Sequence, residues 1–216
     1  MAALPFAGLL VAYLLGSIPT AYLAGQLHGV DLRERGSGNL GATNAFRVLG
    51  WRTGVPVFAI DAAKGYVPAA WFTTWFGVHP HWAMAYGLAA IIGHVKPVFL
   101  IGRGGGGGKG VATAAGVFLG LAPTATVVAL VAFALTLTAS GYVSLGSLIA
   151  AAVLVVALAM TAGVRAPVFA IGVVVAAFVF WSHRANIARL RRGEESRMTR
   201  RRAAPDAAQR AVERVS

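Results

Sequence analysis

The feature that most constrains the fold is the placement of charge, because four long stretches contain no Asp, Glu, Lys or Arg. These stretches are residues 1–30, 65–95, 110–164 and 166–183. Unpaired charge is costly inside a bilayer, and a spanning helix needs about 20 apolar residues. With 57% hydrophobic and 12% charged residues, the 216-residue chain is predicted to lie mostly in lipid, which excludes ordinary soluble and disordered classes.

The charge-free stretches predict where the spanning helices lie. The predicted single helices are residues 4–27, 53–76, 82–101, 146–162 and 167–182. Residues 111–140 are long for one span and carry Ala122 and Pro123 near their middle. Because proline interrupts helices, this stretch is predicted to be a hairpin of two short helices.

The basic residues predict the orientation. They follow the first and third spans and fill the C-terminal segment, where residues 184–216 hold ten of the nineteen lysines and arginines. Loops rich in Lys and Arg favour the cytoplasm. The prediction is therefore an all-α polytopic membrane protein with about seven transmembrane helices, its N-terminus outside and its C-terminus cytoplasmic. Residues 1–195 form the membrane domain, and residues 196–216 form a basic, flexible tail.

Composition also narrows the function. Residues 184–216, with ten basic and four acidic residues, contribute half of the net charge of +12, so the charge favours an anionic membrane surface over nucleic acid as a partner. The absence of cysteine excludes disulfides, thiolate catalysis and zinc–thiolate or iron–sulfur sites. His79 and His81 have no third ligand nearby, so we expect no metal site at this pair.

The first polar segment, residues 35–47, alternates glycines with short hydroxyl and amide side chains between two arginines. Such glycines let backbone N–H groups converge on an oxyanion, and Arg47 can hold two phosphate oxygens. The segment predicts an anion site, with a tight turn before the second span as the alternative. Its predicted site residues are Ser37, Gly38, Asn39, Gly41, Thr43, Asn44 and Arg47.

The second polar segment, residues 102–113, places a glycine run and Lys109 directly before an apolar helix. Helix N-termini attract phosphate through their N–H groups and dipole. The segment is not a P-loop, because Arg103 and Gly110 stand where that motif needs Gly and Ser or Thr. The alternative is a flexible linker in which Lys109 only follows the positive-inside bias.

Two further clusters are candidates. At helical spacing, His183 and Asn186 face one side after the last span, although a basic interface helix is the alternative. Asp61 and Lys64 are spaced to pair within a helix, or Asp61 orients a basic site residue instead. His94 is either a core hydrogen-bonding residue or a member of the site.

These segments resemble the acyl-phosphate-dependent glycerol-3-phosphate acyltransferases of bacteria, the PlsY family, from the first helix to about Glu195. The resemblance is carried by residues 35–44 with Arg47, residues 61–65, residues 107–113, residues 183–190 and residues 193–194. There are two departures. Five glycines follow Arg103 where the family usually has two before the lysine, and Leu40 stands where the family often has proline.

The resemblance implies transfer of a fatty acyl group from acyl phosphate to the 1-hydroxyl of sn-glycerol 3-phosphate, without metal or coenzyme A. It implies a monomer in the bacterial inner membrane with its active site at the cytoplasmic face. Glu194 is implied to support structural integrity. The implied catalytic residues are Ser37, Arg47, Lys109, His183 and Asn186; the further substrate-binding residues are Asp61, Lys64, Gly107, Gly108, Gly110 and Ser144, beside those of the first segment.

For the reaction, we expect direct attack by the glycerol hydroxyl, because acyl phosphate is already activated and needs mainly positioning and charge neutralisation. The base is His183 or an oxygen of the acyl phosphate. An acyl-enzyme on Ser37 is the competing mechanism. A transporter of a phosphorylated metabolite and a lipid-binding scaffold are the alternative functions, but transporters place such sites near the membrane midplane.

Overall fold

The structure, a computed structural model, describes residues 3–102 and 106–198. Within them every regular element is helical, which confirms the all-α prediction. A short 3₁₀ helix spans Val98–Leu100. The α-helices of the described residues are α1 Leu4–Ser17, α2 Thr20–Leu27, α3 Ala42–Leu49, α4 Trp51–Trp75, α5 Trp82–Val95, α6 Val111–Leu121, α7 Pro123–Ser140, α8 Val143–Thr161, α9 Pro167–Ser182 and α10 Arg184–Arg191.

The first predicted span is broken, so the prediction of one continuous helix is wrong. Ile18 is extended, with φ −58° and ψ 113°, because a residue before proline avoids the helical region. Pro19 also lacks the N–H that a continuing helix would use. The carbonyl of Ile18 instead accepts a hydrogen bond of 2.7 Å from Lys64 Nζ on α4. The break therefore ties the first span to the middle of α4.

The other helix boundaries follow local turn chemistry. The prediction of two helices in residues 111–140 is confirmed, since α6 ends before Ala122 and α7 begins at Pro123, although α7, with 18 residues, is not a short helix. Helix α8 starts at Val143 rather than at the predicted residue 146. Gly141, with a left-handed φ of 76°, and Tyr142 are enough to connect it to α7.

Four segments of the described chain are long and apolar enough to cross a membrane: Leu4–Leu27, Trp82–Leu100, Pro123–Ser140 and Val143–Thr161. Helices α9 and α10, bent by 57°, form a possible fifth. The 11-residue α6 is about 16 Å long, roughly half of a hydrocarbon core of about 30 Å. The count of seven spans and the orientation therefore stay predictions.

Helices α4 and α6 cross in backbone contact. A Cβ on Gly65 would collide with the carbonyl of Thr113, and one on Gly116 would collide with the carbonyl of Ala62. Glycine at such crossings lets two helices approach closely. Asp61, one turn before Gly65, is thereby fixed near the start of α6.

The main apolar core lies between α6, α8 and α9. Val117, Phe118 and Leu158 are completely buried in it. Gly172 of α9 leaves room for Leu158, because a Cβ there would collide with the leucine side chain. This core closes one end of the cavity described next.

Candidate active site

A cavity of about 700 Å³ lies between the helices and has two different ends. Side chains from α6, α7, α8 and α9 line an apolar end, including Phe118, Ala129 and Leu154. The other end is polar, and all three polar segments of the sequence contribute to it. Its lining includes Ser37, Asn39, Thr43, Arg47, Asp61, His94, Lys109, Ser144, His183, Asn186, Arg189 and Glu195.

Asn44 holds the shape of the first segment. Its Oδ1 accepts a hydrogen bond of 2.9 Å from the N–H of Ser37. Its Nδ2 donates to the carbonyls of Leu32, at 3.0 Å, and Arg35, at 3.1 Å. Asn44 was predicted as a donor to substrate, but its two amide hydrogens are used inside the loop. Its main contribution is therefore structural.

Glycine is required in this loop. Gly36 and Gly38 have φ values of 63° and 71°, in the left-handed region that other residues rarely adopt. A Cβ on Gly36 would also meet Asn44 Oδ1 and lie 2.9 Å from Val48 Cγ2. The loop thus turns tightly and presents Ser37 at the cavity.

Arg47 is at the opening of the cavity. It is exposed, on the last turn of α3, and it forms no salt bridge or hydrogen bond with the residues that the structure describes. An exposed guanidinium aimed at a cavity without a carboxylate partner is suited to a phosphate, which it can bind with two parallel hydrogen bonds.

The second segment presents a helix N-terminus to the same end. Helix α6 begins after Gly110, whose φ is 80°. The N–H groups of Val111, Ala112 and Thr113 have no acceptor among residues 3–102 and 106–198. Together with Lys109, these N–H groups form an environment that attracts an anion.

Glu195 organises the third segment. Its Oε1 accepts hydrogen bonds from Asn186 Nδ2, at 2.6 Å, and from Ser144 Oγ, at 2.8 Å. Its Oε2 forms a salt bridge of 2.7 Å with Arg189 Nε. Because Glu195 accepts from the Nδ2 of Asn186, the Oδ1 of Asn186 is left to accept a hydrogen bond from Lys109 Nζ. The chain Glu195–Asn186–Lys109 thus links the third segment to the second.

The electrostatics of this end favour an anionic ligand. Burial, together with the positive charges of Arg189 and Arg47, lowers the pKa of Lys109 to about 8, against the opposing effect of Glu195. Burial alone would raise the pKa of Glu195, but hydrogen bonds from its neighbours outweigh it, so its pKa lies below the ordinary value. A bound phosphate would relieve the repulsion between these cations.

The hydrogen bonding of His183 determines its tautomer. The ring Nδ1 lies 2.8 Å from the carbonyl of Val179. Since a carbonyl only accepts, Nδ1 carries the hydrogen in the neutral ring, and Nε2 is left with a free lone pair. His183 lines the cavity and is therefore able to accept a proton there.

Comparison with known proteins gives the family. A sequence model of glycerol-3-phosphate acyltransferases matches residues 6–193. The chain belongs to this family, the PlsY family. It is 40% identical over 225 residues to the enzyme of Chlorobaculum parvum, covering 88% of this chain and 94% of the relative. It is 46% identical over 188 residues to the Geobacter sulfurreducens enzyme, covering 87% and 94%.

A solved structure supports the same assignment. The crystal structure of PlsY, described as an integral membrane glycerol 3-phosphate acyltransferase in its glycerol 3-phosphate form, is 39% identical with a TM-score of 0.82. It is matched over 89% of this chain and 94% of its own. The lysophosphatidic acid form has a TM-score of 0.79 at 38% identity, with the same coverage. These similarities favour acyl transfer over the alternative of metabolite transport.

Most of the predicted PlsY-type site residues meet in the cavity. Thirteen of the sixteen line it, and the exceptions are Lys64, Gly107 and Gly108. The predicted Asp61–Lys64 pair is confirmed, at 2.8 Å. Lys64 also donates to the carbonyl of Ile18 at the helix break, so its ammonium group is bonded away from the cavity and does not line it.

The sequence prediction missed or misplaced three residues. Glu195, which the sequence analysis did not single out, accepts a hydrogen bond from Asn186, whereas Glu194, expected to support structural integrity, is exposed and pairs with Arg192. Arg189, which the sequence analysis did not single out, also lines the cavity. His94, whose role the sequence left open, is buried and lines it as well. Arg103 lies outside the described residues.

Proposed function

We infer that this protein transfers a fatty acyl group from acyl phosphate to the 1-hydroxyl of sn-glycerol 3-phosphate, giving lysophosphatidic acid and inorganic phosphate. The observation that carries this inference is the joining of a cationic end and an apolar end in one cavity. Both substrates are phosphorylated, and one carries a chain that is insoluble in water. A cavity with these two ends suits them both.

The residues suit direct transfer. The hydroxyl oxygen of glycerol phosphate attacks the acyl carbonyl carbon, and the bond from that carbon to the phosphate oxygen breaks. The phosphate leaves with the bonding electrons, and the hydroxyl proton passes to His183 Nε2 or to a phosphate oxygen of the donor. Arg47 and Lys109 neutralise phosphate charge, while Ser37 donates a hydrogen bond.

The proposed placement is a monomer with seven spans in the bacterial inner membrane, N-terminus outside and C-terminus cytoplasmic. Arg47, Lys109 and Arg189 support a cytoplasmic face for the polar end, because Lys and Arg accumulate on that side. Residues 1–195 would form the membrane domain and residues 196–216 the tail. Because the chain has no cysteine, single cysteines are clean topology reporters. Glu34→Cys and Arg192→Cys should react only from the cytoplasmic side, and His79→Cys and Arg165→Cys only from outside.

The decisive assay supplies purified protein with glycerol phosphate and one donor at a time: acyl phosphate, acyl-CoA or acyl-carrier protein. We expect lysophosphatidic acid from acyl phosphate alone. Product from acyl-CoA alone would overturn the donor assignment. A burst of one equivalent of phosphate without glycerol phosphate would replace direct attack by an acyl-enzyme on Ser37. Uptake of labelled glycerol phosphate into liposomes without product would favour transport.

A further inference from the structure

His94 occupies a position behind the glycine-rich loop that the reaction described above does not use. It is the second-to-last residue of α5, its exposure is 5%, and it lines the polar end of the cavity. Its neighbours are the Asp61–Lys64 pair of α4 and the glycines of the second polar segment.

One side of the imidazole faces an ion pair on α4. His94 Nδ1 lies 3.6 Å from Asp61 Oδ1, and the same oxygen lies 2.8 Å from Lys64 Nζ. Lys64 is held in turn by the carbonyl of Ile18. The pair is therefore fixed by α4, on which both residues lie, and by the break between α1 and α2, which makes it a rigid support for the ring.

The other side of His94 contacts the loop backbone. A Cβ on Gly108 would collide with His94 Nε2 and lie 3.0 Å from Cε1, and one on Gly107 would collide with the His94 carbonyl. The N–H of Gly107 donates to the carbonyl of Val95 at 3.1 Å. Only a chain without side chains at 107 and 108 can lie this close to the end of α5.

The loop continues directly into the anion-binding groups. Lys109 and Gly110 line the cavity, and the unbonded N–H groups at the start of α6 follow them. On its far side the loop meets the first segment, since a Cβ on Gly41 would lie 3.8 Å from the Cα of Gly108. A displacement of Gly108 would therefore move the phosphate-facing groups of both segments.

We propose that His94 is a positioning residue whose imidazole, backed by the Asp61–Lys64 pair, holds the 107–110 loop in the geometry that binds the phosphate of glycerol phosphate. The proposal rests on the function inferred above. The ring acts through shape: it fills the space against which Gly108 packs, beside the His94 carbonyl that Gly107 contacts, and it needs no contact with the reacting atoms.

The first test separates binding of the acceptor from chemistry. His94→Ala should raise KM for glycerol phosphate by about tenfold while kcat changes by less than about threefold, because the loop binds the acceptor before the reaction. KM for acyl phosphate should stay unchanged. His28 is exposed and precedes the first polar segment in the sequence, so His28→Ala is the control and should leave all kinetic constants at the native values. An unchanged KM for glycerol phosphate would overturn the proposal.

The second test is a double-mutant cycle with a predicted sign. In the native background Gly108→Ala places a methyl group against the His94 ring, whereas in His94→Ala that space is vacant. The KM of the double variant for glycerol phosphate should therefore be at least about tenfold lower than the value obtained by multiplying the effects of the two single substitutions. Gly106→Ala, whose Cβ would meet nothing within 4 Å, is the matched control and should show additive effects.

Thermal unfolding of the same purified variants gives a readout that does not depend on activity. The coupling should also appear as a smaller loss of Tm for Gly108→Ala in the His94→Ala background. Additive KM values and additive Tm values would overturn the positioning role. If native protein makes no lysophosphatidic acid, the proposed function fails, but the Tm cycle still decides whether His94 holds the loop.

Discussion

The polar and apolar ends of the cavity are built in different ways. The polar end consists of segments between helices, and its geometry depends on a few hydrogen-bonding residues, chiefly Asn44 and Glu195. The apolar end consists of helix faces that pack against a core containing Phe118 and Leu158. One end is fixed by direction-dependent bonds and the other by buried area.

This difference predicts two kinds of sensitivity. Hydrogen bonds and ion pairs depend on geometry, and breaking one in a buried site leaves its partner unsatisfied. Burial of apolar groups contributes roughly in proportion to area, so its loss is graded. Changes at the polar end should therefore abolish or strongly reduce turnover, whereas changes at the apolar end should mainly alter which acyl chain is preferred.

The largest effect is expected for Arg47→Ala. It removes the exposed guanidinium at the cavity opening, so kcat/KM for acyl transfer should fall at least about 100-fold, equal to about 2.7 kcal/mol of barrier. Arg52→Ala is the control, because Arg52 stacks on Trp51 and does not line the cavity. Steady-state phosphate release measures both. Turnover of folded Arg47→Ala near the native value would contradict the role of the polar end.

A second prediction compares two neighbouring glutamates. Glu195→Gln removes the carboxylate that binds Asn186, Ser144 and Arg189, so kcat should fall about 30-fold, equal to about 2 kcal/mol. Glu194→Gln alters only an exposed pair with Arg192 and should leave kcat unchanged. Equal effects of the two substitutions on kcat in folded protein would show that the Glu195 contacts do not matter for the reaction.

The sequence predicts that the polar end binds anions, but not which of its side chains bond to one another. Glycine, short polar side chains and Arg47 in one segment indicate a phosphate site by their chemistry alone. The ion pair of Asp61 and Lys64 follows from helical spacing. Glu194 and Glu195 differ only by one position, and the chain turns at Gly193, with φ 70°, before it brings Glu195 back to Asn186. No local pattern specifies that return.

For the fold as well, local features were predictable from the sequence and long-range contacts were not. Apolar stretches and prolines indicate where helices start and stop, so most boundaries lie within a few residues of those observed. Pro19 accounts locally for the break at Ile18. By contrast, the hydrogen bond from Lys64 to Ile18 and the packing of Gly108 against His94 join residues that are far apart in the sequence. Such contacts are set by tertiary packing, which hydrophobic periodicity does not encode.

A third prediction concerns pH. The pKa of Lys109 is lowered to about 8, so its ammonium is present below this pH and is lost above it. Since the charged form binds phosphate, kcat/KM for glycerol phosphate should fall about tenfold per pH unit above about pH 8. Lys109→Arg keeps the positive charge at high pH. It should therefore shift the fall in kcat/KM to higher pH, and it should lower the maximal kcat/KM because the geometry of the side chain differs. A basic limb that stays in place in Lys109→Arg would assign it to another group.

The smallest effect is expected at the apolar end, where Phe118 closes the cavity against Leu158 and Gly172. Phe118→Leu makes room for more chain, so kcat/KM for longer acyl phosphates relative to shorter ones should rise about fourfold, the value of roughly one buried methylene. Ala129→Leu narrows the same end and should shift the preference toward shorter chains. Phe72→Leu, buried among other helices, controls for loss of core packing and should leave the preference unchanged. If the apolar end acts by buried area alone, Phe118→Leu and Ala129→Leu should shift the acyl-chain preference in opposite directions, while kcat for the best donor stays nearly constant. A common loss of kcat would mean that the two ends are not separable.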